Sequence, residues 1–278
     1  MTAVGADARQ YGRLTAPDVA AELGPGSVLC LPIGSFEQHG PHLPLNTDTV
    51  IAEQFTARLV ERYGDGHDLW ALPSIPYGLS PEHAWAPGTV SLRVASFMSL
   101  LDTVVGDYVR ATPARSLLIV NGHGGNRGIL EAALYELQER YALAACVVHP
   151  GSLSAFRTES GLPEIHAGLH ETSLMLALTP EDVHLDRLPA DFGADRERLQ
   201  EINRLVLDRG ATWPWNSGDT TIASSGVIGG DPRAASADVG RSIIESALDA
   251  AADVLIRLPL HRPQTPAFVR GSHGPHHC

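Results

Sequence analysis

What most limits the fold of this chain is a repeated pairing of a short, almost wholly apolar run with a stretch whose apolar residues fall three and four apart. The runs are Ser27–Ile33, Trp70–Ile75, Arg115–Val120 and Leu143–Val148. Runs this short and this apolar read as strands buried on both faces. Between them the spacing predicts a helix from Thr47 or Asp48 to about Arg62, with Val50, Ile51, Phe55, Leu59 and Val60 inward. It predicts further helices over Leu92–Val109 and over Arg127–Tyr141, the latter with Ile129, Leu130, Ala133, Leu134 and Leu137 inward. Glu171–Leu178 reads as a helix start and Ser236–Ile256 as a last long helix. This alternation predicts an α/β fold: a single domain with a central, mainly parallel sheet flanked by helices on both faces. The domain is expected over residues 15–262, with 1–14 loosely ordered and 263–278 a disordered tail. The tail ends in His and Cys separated by Gly and Pro, a composition that favours disorder over a metal site.

Directly after the first apolar run stands Gly34-Ser35-Phe36-Glu37-Gln38-His39-Gly40-Pro41-His42-Leu43-Pro44-Leu45-Asn46-Thr47-Asp48. Side chains two apart on extended backbone point the same way, so Glu37 and His39 can face one ion. Asp48, carried back by the turn through Pro41 and Pro44, can complete the set. Two carboxylates and an imidazole suit a divalent first-row cation, and such an ion suits hydrolysis.

In open α/β sheets, sites gather at the carboxyl ends of the strands. Glu37 and His39 lie just past the first strand, and His123, in Asn121-Gly122-His123-Gly124-Gly125-Asn126, lies just past the third. Taken alone, His123 reads equally as a ligand or as an incidental residue of a Gly-rich turn. Glu171, in the first turn of its helix, reads first as a carboxylate favoured by the helix dipole. His42 and His83 read as loop residues rather than ligands, and His149 has no partner in view. The loop from Ser217 to Pro232 reads equally as a surface loop or as one closing over a site.

A net charge of −12 argues against nucleic acid or an anionic membrane surface as a partner. Three scattered cysteines support neither a disulfide framework nor a thiolate metal site. With no signal-type N-terminus and no apolar window long enough for a membrane span, a cytoplasmic location is expected.

Together these segments resemble the creatininase family of metal-dependent amidohydrolases. The likeness rests on Gly34-Ser35-x-Glu37-Gln38-His39-Gly40-Pro41-His42-Leu43-Pro44-Leu45-x-Thr47-Asp48. Pro87-Gly88-Thr89, Asn121–Asn126, His166-Ala167-Gly168-x-x-Glu171-Thr172-Ser173 and Gly230-Asp231-Pro232 extend it. The resemblance implies two divalent ions, Zn, Fe(II) or Mn, and a hexamer-like homo-oligomeric ring. One ion is implied on Glu37, Asp48 and His123, the other on His39, Asp48 and Glu171, with Asp48 shared. His166 resembles the family's proton-transfer histidine. The implied chemistry is hydrolysis of a C–N amide bond by an activated water, with His166 protonating the leaving nitrogen.

Two departures bear on the substrate, a small peptide or small-molecule amide. Creatininase has a ligating glutamate where this chain has Gly125, so Glu171 is expected to supply that carboxylate. Creatininase also stacks its flat substrate on tryptophans between the second and third motifs, where this chain has none; its own are Trp70, Trp85, Trp213 and Trp215. Creatinine is therefore not the expected substrate. The segment Gly226–Ala237 most resembles the mycofactocin-system peptidase subgroup. That likeness implies release of a C-terminal Val-Tyr-derived unit from a modified precursor peptide, with Arg233 meeting a carboxylate terminus. The alternative is a small-molecule amidohydrolase or deformylase on the same scaffold.

Overall fold

The apolar runs become strands because their two faces both meet helices rather than water. A computed structural model of the protein describes residues 9–157, 164–190, 192, 196–207, 213–223 and 225–263. In chain order its principal elements are α1 (Ala16–Glu22), β1 (Val28–Ile33), α2 (Thr47–His67), β2 (Leu69–Ala71), α3 (Val94–Ala111), β3 (Ser116–Asn121), α4 (Arg127–Tyr141), β4 (Ala144–Val148), α5 (Pro150–Leu153), α6 (Leu169–Leu178), α7 (Arg196–Leu207) and α8 (Ala237–Arg257). The sheet has the order β2-β1-β3-β4 and every pairing is parallel.

Alternation along the strands splits the interior in two. Val28 and Cys30 of β1, Leu118 and Val120 of β3, and Ala144 of β4 face a core built with Phe55 and Leu59 of α2, Met175 of α6 and Ile243 of α8. Leu29, Leu31 and Ile33, with Leu117 and Ile119, face the other core against Phe97 and Leu101 of α3 and Leu130 and Leu137 of α4. The register places Cys30 beside Leu118 and Leu118 beside Cys146, so the sorting holds across strands. Full burial of a side chain such as Phe55 contributes roughly 1.5–3 kcal/mol, which is why the pattern determines the register.

The expected fold class is the one observed, with differences at the edges of elements. The strand expected over Trp70–Ile75 is only Leu69–Ala71, because Pro73 and Pro76 have no N–H to donate. Ile75 keeps a single bridge to Ile33. The second helix runs five residues past Arg62 to His67, and Asp68 stops it in the left-handed conformation at φ 50°. The short helices α1, α5 and α7 were not expected. In α1 a capping box between Thr15 and Asp18 does the work that apolar spacing does elsewhere.

Most of the segment expected to be loosely ordered at the N-terminus lies outside the described residues. Its described end packs down: Gln10 bridges Ala71, and Tyr11 stands edge-on to Tyr108 with ring centroids 5.2 Å apart. Residues 264–278, with the His-rich tail, also lie outside the described residues. Among the described residues no helix is long and apolar enough to cross a membrane.

Candidate metal centre

Beyond Ile33 the chain folds over the carboxyl end of the sheet. Glu37 N–H donates to the Leu45 carbonyl (2.9 Å), Val90 N–H to that of Phe36 (2.8 Å), and His39 bridges Leu43. The turn through Pro41 and Pro44 thus returns the chain, and α2 starts with Asp48 in its first turn, where the helix dipole favours a carboxylate. Asp48 Oδ1 lies 3.2 Å from His39 Nε2. His123, two residues past β3, brings Nδ1 to 3.0 Å from Asp48 Oδ2 and 3.4 Å from Glu37 Oε1. Glu171 enters from the first turn of α6. Its carboxylate accepts the N–H of Ala167, a residue held at φ 53°, and its Oε2 lies 4.0 Å from His39 Nε2.

Two groups of donors result, Glu37–Asp48–His123 and His39–Asp48–Glu171, each with its ligand atoms within 4.8 Å of one another and with Asp48 common to both. Glu37, His39 and His166 form a third such group, which the sequence did not suggest.

The imidazoles are held in one manner. His39 Nδ1–H donates to the Glu37 carbonyl (3.1 Å), His123 Nε2–H to the Leu79 carbonyl (2.8 Å) and His166 Nε2–H to the Gln38 carbonyl (2.7 Å). The opposite nitrogen of each ring then faces a carboxylate, His166 Nδ1 at 3.5 Å from Glu37 Oε1. A main-chain carbonyl behind a metal-binding imidazole fixes its tautomer and orientation. Both Glu37 oxygens and Asp48 Oδ2 are buried without a hydrogen-bond partner. Buried carboxylate oxygens facing imidazole nitrogens are a costly arrangement unless positive charge, protons on the rings or a metal ion, sits among them, and the oxygen and nitrogen donors fit a divalent first-row ion. The Cys30 thiol, pushed up to about 12 by burial, offers no thiolate.

Charge is unevenly distributed over the cluster. Burial raises Glu37 to about 7, opposed by His123, and Asp48 is held well below the usual carboxylate range by His39 and His123 against the cost of burial. Burial disfavours the charged form of His39 and His123, but Asp48 and Glu37 outweigh it and lift them to about 9 and about 10. His83 is pushed down to about 3 and His166 well below its ordinary value, by burial and by neighbouring imidazoles. The cluster thus holds two basic imidazoles and two neutral ones.

Several participants were not legible in the sequence. His83 is buried, not a loop bystander: its Nε2 lies 3.5 Å from Glu37 Oε1, and its ring stacks on His166 at 4.0 Å and 28°. Ser217 Oγ lies 2.7 Å from His83 Nδ1, accepts from Trp85 Nε1 (2.8 Å) and donates to the Glu82 carbonyl (3.1 Å). Gln38 donates to the Gly226 carbonyl (3.2 Å), and His166 and Ile228 exchange backbone hydrogen bonds (2.9 and 2.7 Å). The loop containing Ser217 and Gly226 therefore closes over the site. The one available hint at His83 was its place four residues before Pro87-Gly88-Thr89.

His42 is also buried, its Nε2 2.9 Å from Thr172 Oγ1, and it braces α6 beside Glu171. His149 has Asn121 as its partner, 3.0 Å away. Arg233 does not present a free fork for a carboxylate terminus, because its guanidinium donates to the carbonyls of Pro189 and Phe192. At Gly125 a Cβ would lie 2.4 Å from both His123 Nε2 and the Leu79 carbonyl oxygen. A glutamate there is incompatible with the bond that orients His123, and Glu171 is the carboxylate that joins Asp48 opposite His39.

A family profile described as creatininase, creatinine amidohydrolase, matches residues 12–255. The chain is 36% identical over 246 residues to the mycofactocin precursor peptide peptidase of Mycobacterium tuberculosis, covering 85% of this chain and 86% of that one. It is 34% identical over 234 residues to the same-named protein of Mycolicibacterium smegmatis, covering 83% and 85%. Among solved structures, a manganese creatininase superposes with a TM-score of 0.67 at 27% identity, covering 92% of this chain and 99% of the other.

Proposed function

The chain belongs to the creatininase family, and we propose on that premise that it is a metal-dependent amidohydrolase, specifically a peptidase that cuts a modified precursor peptide of the mycofactocin type. The proposed product is the C-terminal Val-Tyr-derived unit. One observation carries the reading: three main-chain-anchored imidazoles aim their second nitrogens at the buried carboxylates of Glu37 and Asp48, three of whose four oxygens lack a hydrogen-bond partner.

In this proposal Glu37, Asp48 and His123 hold one divalent ion and His39, Asp48 and Glu171 a second. Such ions, when bound, supply Lewis acidity and a water ionised near neutral pH. His166 acts at Nδ1, the ring atom left over once Nε2–H is committed to the Gln38 carbonyl. It takes up the proton that the water gives up and delivers it to the leaving nitrogen. His83, stacked on His166 and tied to Ser217, keeps that ring in plane. The burial of Glu37, Asp48 and His39 keeps bulk water from competing for the carboxylates. A cytoplasmic location and a homo-oligomeric ring belong to the same reading.

The test is to load the protein separately with Zn, Mn or Fe(II) and offer it a modified mycofactocin precursor peptide, creatinine and a formamide. Mass spectrometry of the products is expected to show cleavage of the peptide. Cleavage of only the formamide or the cyclic amide would transfer the assignment to a small-molecule amidohydrolase or deformylase.

A further inference from the structure

A cavity of about 410 Å³ is lined by Ile202, Trp213, Trp215, Asn216, Asp219 and Ile222 together with the intervening proline. Its volume and its mostly apolar, aromatic walls are those of a small-ligand pocket. Two of its polar atoms are engaged within their own loop, Asn216 Oδ1 accepting from Gly218 N–H and Asp219 Oδ1 from Thr221 N–H, both at 2.8 Å. Most of the remaining wall is apolar or π surface, from Ile202, Ile222, Trp213 and Trp215. Trp213, although it lines the cavity, is 61% exposed, so an indole face is available for stacking.

The cavity adjoins the proposed reaction centre through one shared wall, the Trp215 indole. Trp215 stands edge-on to His83 (5.7 Å between centroids, 87°), and His83 stacks on His166. Ile202 and Ile228 share a small core with Trp215 and Ile222, and Ile228 is bonded to the backbone of His166. A row of rings runs from His166, beside Glu37, through His83 to Trp215. His166 is the group that meets the leaving nitrogen in the proposed reaction, so whatever is attached to that nitrogen leaves the centre on the side where His83 and Trp215 stand.

We propose that the cavity is the subsite for an aromatic side chain on the leaving-amine side of the substrate, gripped between Trp213 and Trp215. The assignment deepens the proposed peptidase function and rests on it for the direction of the substrate. The tryptophans that grip the substrate would then come from the segment after α7, not from the stretch between the second and third motifs. A flat ring in an indole-lined slot gains both buried area and edge or offset stacking, and an alanine at the same position gains neither.

The test separates this subsite from the metal chemistry. N-acetyltyrosinamide and N-acetylalaninamide are titrated into the full-length, chelated protein, with isothermal titration calorimetry as the readout. Saturable heat with the tyrosine compound alone, lost in Trp213→Ala and kept in Trp213→Phe, is expected. In the metal-loaded enzyme, Trp213→Ala should lower kcat/KM about tenfold on a peptide with an aromatic residue in the released part. The same peptide with alanine there should be cut equally by both proteins, and circular dichroism checks that the variant is folded. Ring binding without cleavage of any peptide would sink the peptidase reading and leave the subsite standing. Equal response to both small amides, or equal cleavage of aromatic and alanine peptides by the wild type, would overturn the subsite.

Discussion

Gly122 passes so close to Asp48 that a Cβ on it would lie 2.1 Å from the Asp48 carbonyl oxygen. The start of α2 and the end of β3 are therefore in backbone contact, and this contact sets the spacing between Asp48 and His123. Gly122→Ala should push the two apart. The expected result is a loss of about 10–100-fold in metal affinity, as when the supports of a ligand are disturbed. Competition with a chromogenic chelator measures it, and unchanged affinity would show that the contact is not what spaces the ligands.

Asp48 and Glu171 should differ in stoichiometry. Asp48 is common to both donor groups, and Glu171 belongs to one. Glu171→Ala is expected to retain about half the wild-type metal after dialysis, and Asp48→Ala close to none. Plasma emission spectroscopy gives the ratio; equal losses in the two variants would argue against a shared ligand.

The chelated protein should lose stability as pH rises. His39 goes from 6.5 to about 9 and His123 from 6.5 to about 10 in the folded protein, because Asp48 and Glu37 outweigh the cost of burial. A raised folded pKa means that the native state holds protons the unfolded chain has released. Stability from these groups is complete below 6.5 and is lost as pH climbs through 9 to 10. Glu37, raised from 4.5 to about 7, contributes in the same sense at lower pH. Metal should show the opposite trend, binding more tightly as those protons leave. Melting temperatures with and without Zn across this range should diverge upward in pH; parallel curves would count against the assignment.

Ser217→Ala should act on catalysis more than on stability. It removes the hydroxyl beside His83 Nδ1 and the acceptor for Trp85 Nε1. The expected stability loss is about 1 kcal/mol, with kcat reduced about tenfold and metal content unchanged. Steady-state kinetics set beside a denaturant melt would expose a purely structural role, in which kcat keeps its wild-type value.

The sheet was legible because a strand buried on both faces has no polar positions to blur it, so Val28–Ile33 and Ser116–Asn121 were found within one residue. α1 was missed because none of its residues is buried and its signal is a cap, not a stripe. At the site, Glu37, His39 and Asp48 were legible from local spacing. His123 and Glu171 were ambiguous alone and were singled out only by resemblance. His83 and Ser217, 134 residues apart, meet only in the folded chain, and no spacing rule connects them. The carbonyls of Leu79 and Gln38 are invisible in principle, because every residue has one.

Those carbonyls have a consequence for the protein's working life. A ring pinned by the main chain cannot swing aside when ions are scarce, so the site persists as a rigid mould. Loss and return of the ions is therefore expected to leave the course of the backbone around the site unchanged.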